Sequence, residues 1–206
     1  LESVKDGHVP PGGQADMVSA KSKDAIAFVK KHDLVTVPPL AEELWRLQML
    51  SPQGQKTLPF AAYGDQAMLV AYPTDDMSTA DKLMAMRGNN KHFLHIVVPH
   101  ELIPGHHLQH FVAERYRPYR GTFSTPFYVE GWALYWEFKL WDMGLGTTPQ
   151  DRIGMLFWRM HRCARIMVSL KYHLGEMTPP QMIDFLVDRV GHERQNATAE
   201  VRRFIG

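Results

Sequence analysis

Six of the eleven histidines in this chain lie within nineteen residues, from His92 to His110. The densest part is residues 99–110, PHELIPGHHLQH, in which Glu101 directly follows His100. Imidazole is the commonest side-chain ligand for transition metals, and a carboxylate beside a bound metal can accept a proton from an activated water. These residue types therefore predict a metal site with a neighbouring general base.

The spacing of these histidines departs from the usual two-histidine zinc helix. In that helix the ligands are four residues apart, about 400° of rotation at roughly 100° per residue, so both reach one ion. In this chain the residue four after His100 is Pro104, and the next histidine, His106, follows His100 by six residues. In a regular helix the side chain of His106 would point about 240° around the axis from that of His100. His107 returns to the same face, but roughly 10 Å farther along the axis. Neither histidine suits an undistorted helix.

The two residues that lengthen the spacing, Pro104 and Gly105, are suited to interrupting a helix. Proline removes an intrahelical donor, and glycine adopts unusual backbone dihedrals. If two residues loop out here, as in bulges at functional sites, His106 falls where the second ligand belongs. We therefore predict His106 as the second ligand and keep His107 as the alternative. Otherwise His107 or His110 would orient a ligand or contact substrate.

A third ligand is predicted on a later helix. A catalytic zinc site has three protein ligands and one open position, and glutamate is a common third ligand. The stretch YVEGWALYWE places Glu130 24 residues after His106, at the start of a predicted helix. Zn²⁺ held by His100, His106 and Glu130 would leave Glu101 free to act on a water in the open position.

The segments that carry these candidate ligands, and those around them, are predicted to be mostly helical. Apolar residues at helical spacing from about Ala15 to Lys31, and again from Ser78 onward, predict four or five helices. The motif itself lies in one long helical stretch, residues 91–116, interrupted by two prolines. Residues 57–73 contain two apolar runs around YGDQ and predict a β-hairpin. We expect a mainly α fold of packed helices with one small β-hairpin.

Composition limits the classes of function and of partner. The 23 Lys and Arg residues nearly balance 22 Asp and Glu residues, which gives no sign of a nucleic-acid partner. No apolar run approaches the roughly 18 to 20 residues that a membrane-spanning helix needs. Cys163 is the only cysteine, so no intrachain disulfide forms, and both an exported or periplasmic and a cytoplasmic location fit.

The length of 206 residues predicts one catalytic domain over residues 1–206. The sequence begins without Met and stops directly after a helical pattern. We therefore expect a C-terminal portion or fragment of a longer protein.

The motifs HELIPGHHLQ and EGWALYWE together resemble the signature of a bacterial family known as domain of unknown function 885. That signature resembles the gluzincin zinc metallopeptidases of the thimet oligopeptidase and angiotensin-converting-enzyme type. Their motif is H-E-x-G-H, with the third-ligand glutamate some two dozen residues later. Gly105 and His106 match the end of that motif, and Glu130 matches the later glutamate. The resemblance runs from about Val29 to the C-terminus.

The resemblance implies a gluzincin-like domain that cleaves peptide substrates, with a short β edge beside the cleft. His100, His106 and Glu130 would bind Zn²⁺. Glu101 would take a proton from the metal-activated water and pass it to the leaving amine.

Several residues are predicted to contact substrate. The hairpin strand near residues 69–72, with Tyr72, could pair with an extended peptide by strand addition. His173, Arg162 and Arg165 could face the cleft, and an arginine suits a carboxylate terminus.

Two features of the EGWALYWE helix have simpler interpretations. Its aromatic residues at helical spacing are expected to pack in the core (Trp132, Tyr135, Trp136 and Trp141). Glu137, one heptad after Glu130, is expected on a solvated face, with a role behind the ligands as the alternative.

Two other functions remain as hypotheses. In the first, zinc holds helices together in a structural metal-binding domain, which requires a fourth protein ligand such as His107 or His110. In the second, the chain is a catalytically silent fragment that acts as an interaction domain and binds no metal.

Overall fold

The structure, a computed structural model, describes all residues from Leu1 to Gly206. It is mainly helical with a small sheet, which confirms the predicted fold class. The helices are α1 (Glu2–Lys5), α2 (Gln14–Lys31), α3 (Pro39–Leu44), α4 (Thr79–Gly88), α5 (Leu94–Glu101), α6 (His106–Tyr116), α7 (Tyr119–Thr122), α8 (Pro126–Asp142), α9 (Pro149–His173), α10 (Pro179–Phe185) and α11 (Arg194–Ile205). The strands are β1 (Arg46–Met49), β2 (Ala61–Gly64) and β3 (Ala67–Val70). A 3₁₀ turn covers Gly54–Lys56, and a π-helical segment, Leu186–Val190, follows α10.

Helices are more numerous than the four or five predicted. The additional ones are mostly short, such as α1, α3 and α7, and a short helix gives little periodic signal because its apolar residues complete barely one turn. No helix is both long enough and apolar enough to cross a membrane.

The sheet has the order β1, β3, β2. The predicted hairpin is present: β2 and β3 pair antiparallel, and the turn residues Asp65 and Gln66 both have positive φ. The third strand, β1, pairs parallel to β3. It was not predicted because RLQM has none of the β-branched or aromatic residues that favour strands. As the central strand, β3 has both edges occupied, whereas β2 has one edge free.

Helix α5 lies at the centre of the fold. Seven of its eight residues are buried, and it packs against α2, α8 and α9. A helix that is apolar on every side is stable only when it is surrounded, and LHIVVP at its start meets that condition. The last two residues of α5 are His100 and Glu101, so the core holds the first half of the motif rigidly.

Four aromatic residues of α8 divide between core and surface. Trp136 is buried, Trp132 and Trp141 are partly buried against the core, and Tyr135 is exposed. The expectation of core packing was therefore correct for Trp136 and wrong for Tyr135.

Candidate metal centre

The motif spans a break between two helices and not a bulge within one. Helix α5 ends at Glu101, α6 begins at His106, and four residues join them. The backbone leaves helical geometry at Leu102, with φ −104° and ψ −107°, and again at Gly105, with φ −78° and ψ −133°. The predicted single helical stretch over residues 91–116 was wrong, although the interruption lies where proline and glycine predicted it.

Gly105 is required for the chain to reverse at this point. Its N–H donates to the carbonyl of Pro99 at 2.9 Å, which brings the two backbones together. A Cβ on residue 105 would lie 1.8 Å from the carbonyl oxygen of His100, far inside van der Waals contact. Only glycine allows this approach, and the approach turns His106 back toward His100.

Hydrogen bonds join helix α8 to this break and to the first turn of α6. The indole N–H of Trp132 donates to the carbonyl of Pro104 at 2.9 Å. The amide of Gln109, on α6, donates to the carbonyl of Tyr128 at 2.8 Å. These contacts set the start of α8 beside the first turn of α6, and they position Glu130 over the two histidines.

Three potential ligand atoms converge at this point. Glu130 Oε2 lies 3.7 Å from His100 Nε2 and 3.8 Å from His106 Nε2. Ligand atoms of a tetrahedral zinc, each roughly 2.0–2.1 Å from the ion, are roughly 3.4 Å apart. The observed separations are slightly larger, so the three side chains fit one zinc ion with small rotamer adjustments. Glu101 also lies close to both histidines, since one potential ligand atom from each of His100, Glu101 and His106 lies within 4.8 Å of the other two.

The pKa values of these groups reflect burial and close charges. Burial raises the pKa of Glu101 to about 7, and burial together with nearby His100 lowers that of His106 to about 4. Burial opposes charge on His100 as well, but Glu101 and the two glutamates of α8 raise its pKa to about 9. Hydrogen bonding to His100 lowers the pKa of Glu130 to about 2. A coordinating cation would have to displace the proton from His100.

Glu137 lies behind His100, and the expectation that it occupies a solvated face was wrong. Its side chain is 3% exposed, and its Oε1 accepts a hydrogen bond from His100 Nδ1 at 2.6 Å. Arg162 donates from Nη1 to Oε2 of Glu137 at 3.0 Å and also contacts Oε1. Because Nδ1 donates to Glu137, Nε2 is the nitrogen that can coordinate a cation once its own proton is displaced.

The heptad spacing explains how one helix reaches both nitrogens of His100. Residues seven apart on a helix are separated by about 700° of rotation, so Glu130 and Glu137 share one face of α8. The spacing was visible in the sequence, but a solvated face shows the same pattern. The deciding fact is that this face packs against α5.

His107 points away from the centre, which removes it as the alternative second ligand. Its Nε2 lies 2.8 Å from the carbonyl oxygen of Ala41, and its Nδ1 lies 3.2 Å from the hydroxyl of Tyr63. Both ring nitrogens are therefore engaged by other parts of the fold. His110, one turn farther along α6, lines the cleft, and its ring stacks on that of Tyr63 at 5.6 Å between centroids.

The centre opens into a cavity of about 240 Å³. Residues 60–63, of and before β2, form one part of its lining, and residues of α9 and α11 form another. The cavity is also lined by polar residues that the two motifs did not identify, namely Tyr63, His161, Glu200 and Arg203. They come from distant parts of the chain, and only the fold brings them together.

Of the residues predicted to contact substrate, two line the cavity and two lie outside it. Arg162 and Arg165 line the cavity. Tyr72 follows the central strand β3 and lies outside the cavity, and β3 has no free edge for a peptide. His173 is exposed at the end of α9, where its Nε2 lies 3.2 Å from the carbonyl oxygen of Phe204. Tyr72 and His173 are therefore not in this site.

Comparisons with known proteins agree with the fold and leave the chemistry open. The family model described as "Bacterial protein of unknown function (DUF885)" matches residues 16–206. No curated protein matches the chain. A solved structure, of a proposed lipoprotein of unknown function from Shewanella oneidensis, is similar with a TM-score of 0.77 and 22% identity. The match covers 100% of this chain and 38% of that one.

Proposed function

The chain belongs to the DUF885 family of bacterial proteins of unknown function, and we propose that it is a zinc-dependent peptidase. The proposal is carried by one observation: His100 Nε2, His106 Nε2 and Glu130 Oε2 converge at separations suited to one ion. The donor set of two imidazoles and one carboxylate is typical of catalytic zinc.

The residues around the ion have distinct roles. His100, His106 and Glu130 would hold zinc, which lowers the pKa of a coordinated water to near 7 and polarises a carbonyl. Glu101 accepts a proton from the attacking water and then donates it to the leaving amine. Burial raises the pKa of Glu101 to about 7, which suits a group that must do both near neutral pH.

The surrounding elements supply orientation and substrate alignment. The hydrogen bond from His100 Nδ1 to Glu137 holds the imidazole in the tautomer whose Nε2 can coordinate. The free edge of β2 borders the cavity, so an extended peptide can add to it as a further strand. This edge replaces the strand near residues 69–72 as the proposed peptide-binding edge.

A structural zinc site is less consistent with this geometry. Structural sites have four protein ligands, and the closest further histidine in the sequence, His107, has both ring nitrogens engaged elsewhere. Glu101 and His110, which both line the cavity, would be the remaining candidates for a fourth ligand. A catalytic site predicts that Glu101→Gln keeps zinc and loses hydrolysis, whereas a structural site predicts no hydrolysis by the parent.

The test is metal analysis and peptide hydrolysis of the purified protein beside its Glu101→Gln variant. Hydrolysis is followed by mass spectrometry on a casein-derived peptide mixture, with zinc supplied to both proteins. We expect one zinc per chain in both, and a loss of hydrolysis of at least about 100-fold in the variant only. Loss of zinc with Glu101→Gln would support a structural site, and absence of zinc from the parent would contradict both.

A further inference from the structure

Three arginines on α9 and α11 form one wall of the cavity. Arg162 and Arg165 are one helical turn apart on α9, and Arg203 lies on α11. This wall borders the same cavity as His100 and Glu130, so a peptide held at the metal centre would extend along it. The charges of this wall therefore bear on which peptides fit.

Two of the three arginines are neutralised by carboxylates of the fold. Arg162 makes a two-point contact with Glu137, and Arg203 Nη2 lies 2.8 Å from Glu200 Oε2. Both carboxylates are buried. Neither arginine needs a further anion, and each is committed to holding its partner.

Arg165 has no such partner. Its guanidinium makes no hydrogen bond to the protein and no ion pair within 4.0 Å. The guanidinium carbon Cζ lies 5.9 Å from the ring centroid of Phe204. The side chain is partly buried. A partly buried cation that no carboxylate contacts directly is unfavourable, and guanidinium stays charged throughout the accessible pH range. A ligand anion would relieve that cost.

Electrostatic coupling indicates where Arg165 lies relative to the metal centre. Hydrogen bonding with His100 and, more weakly, the charge of Arg165 lower the pKa of Glu130. Burial and the charge of Arg203 lower the pKa of Arg165 itself. The guanidinium of Arg165 is thus within electrostatic range of Glu130, of Glu200 and of Arg203.

We infer that Arg165 binds a carboxylate of the peptide substrate, an inference that rests on the proposed peptidase function. A guanidinium donates two parallel hydrogen bonds to a carboxylate, and Arg165 is the arginine of this wall that no carboxylate of the fold contacts directly. The substrate class is therefore peptides with an anionic group next to the scissile bond. That group is either the C-terminal carboxylate or an acidic side chain.

Binding of four short peptides tests this inference without requiring turnover. The protein is the Glu101→Gln variant, whose substitution prevents consumption of the peptide. The first pair is N-acetyl-trialanine as the free acid and as the C-terminal amide. The second pair is N-acetyl-Ala-Glu-Ala-amide and N-acetyl-Ala-Gln-Ala-amide. Each dissociation constant is measured by calorimetry with and without Arg165→Gln. Arg202→Gln, an exposed arginine on α11 outside this cavity, is the matched control.

We expect the carboxylate member of one pair to bind at least about tenfold more tightly than its neutral partner. Arg165→Gln should abolish that preference, Arg165→Lys should restore only part of it because lysine lacks the planar fork, and Arg202→Gln should leave it unchanged. The pair that shows the preference identifies the terminal or the side-chain carboxylate. No preference in either pair, or a preference that survives Arg165→Gln, overturns the inference. Because binding is measured without hydrolysis, failure of the peptidase proposal would be recognised separately.

Discussion

Glu137 and His100 form a buried pair in which Nδ1 of the imidazole lies 2.6 Å from Oε1 of the carboxylate. Arg162 neutralises the same carboxylate and contacts both of its oxygens. The relationship links three helices, α5, α8 and α9, through one side chain of each. It also fixes the direction in which the other nitrogen of His100 points, and therefore the geometry of the proposed zinc site.

Replacing this carboxylate should weaken zinc binding without removing a ligand. Glu137→Gln retains the shape of the side chain but loses the charge that favours the Nδ1–H tautomer and raises the basicity of the imidazole. We expect zinc affinity to fall about 10–100-fold, measured by competition with a chromophoric chelator. Glu114→Gln, an exposed glutamate on α6, should leave the affinity unchanged. Equal affinities for all three proteins would mean that Glu137 serves only the packing of the core.

The close approach at Gly105 predicts a large effect of a single methyl group. Gly105→Ala places a Cβ against the backbone carbonyl of His100, and backbone cannot rotate aside as a side chain can. We expect a loss of about 3 kcal/mol or more in the free energy of unfolding, measured by urea denaturation. Gly121→Ala is the control, because a Cβ there meets nothing within 4 Å. A Gly105→Ala variant as stable as this control would contradict the described break.

His106 and His107 should behave in opposite ways. His106→Ala should lose stoichiometric zinc, because it removes a proposed ligand. His107→Ala should retain zinc but lower the free energy of unfolding by about 2–4 kcal/mol, because it removes a buried ring and its hydrogen bond to Ala41. Metal analysis and thermal unfolding of the two variants provide the comparison. Zinc lost from His107→Ala and retained by His106→Ala would reverse the assignment.

Two buried histidines outside the metal centre, His161 and His192, predict how the free energy of unfolding depends on pH. His161 Nδ1 and His192 Nε2 are 2.9 Å apart in the core, and burial lowers the pKa of His192 to about 3. In the unfolded chain His192 takes up a proton near pH 6.5, whereas in the folded chain it does so only near pH 3. As the pH is lowered from 6.5 toward 3, the free energy of unfolding should therefore decrease by about 1.4 kcal/mol per pH unit for each proton.

The test of this dependence is urea denaturation at several pH values between 7 and 5. His192→Gln should have a shallower decrease in stability than the parent, by about one proton. His173→Gln, at an exposed histidine, should retain the slope of the parent. Parallel slopes in all three proteins would show that His192 takes up its proton in the folded state.

The sequence predicted the fold class and the residues at the centre because both depend on local patterns. Helical periodicity identified α2, α4, α8 and α9, and the two motifs identified His100, Glu101, His106 and Glu130 by residue type and spacing. The hairpin followed from two apolar runs around a polar turn. These signals arise within a few turns of chain, where neighbouring residues determine the conformation.

What the sequence did not predict depends on contacts between distant segments. The burial of Glu137 follows from the packing of α8 on α5, and the orientation of His107 follows from the position of Ala41. The exclusion of Tyr72 follows from β1, a strand with weak local preference that forms only because β3 offers it an edge. Local pattern alone could not distinguish these outcomes from their alternatives.

We propose that His100, His106 and Glu130 together hold a single zinc ion. Crystallographic data collected on either side of the zinc absorption edge test it most directly, because the anomalous difference locates zinc independently of activity. We expect one peak per chain, roughly 2.0–2.2 Å from Nε2 of both histidines and from a carboxylate oxygen of Glu130. A peak coordinated by His107, or no peak after crystals are soaked in zinc, would contradict it.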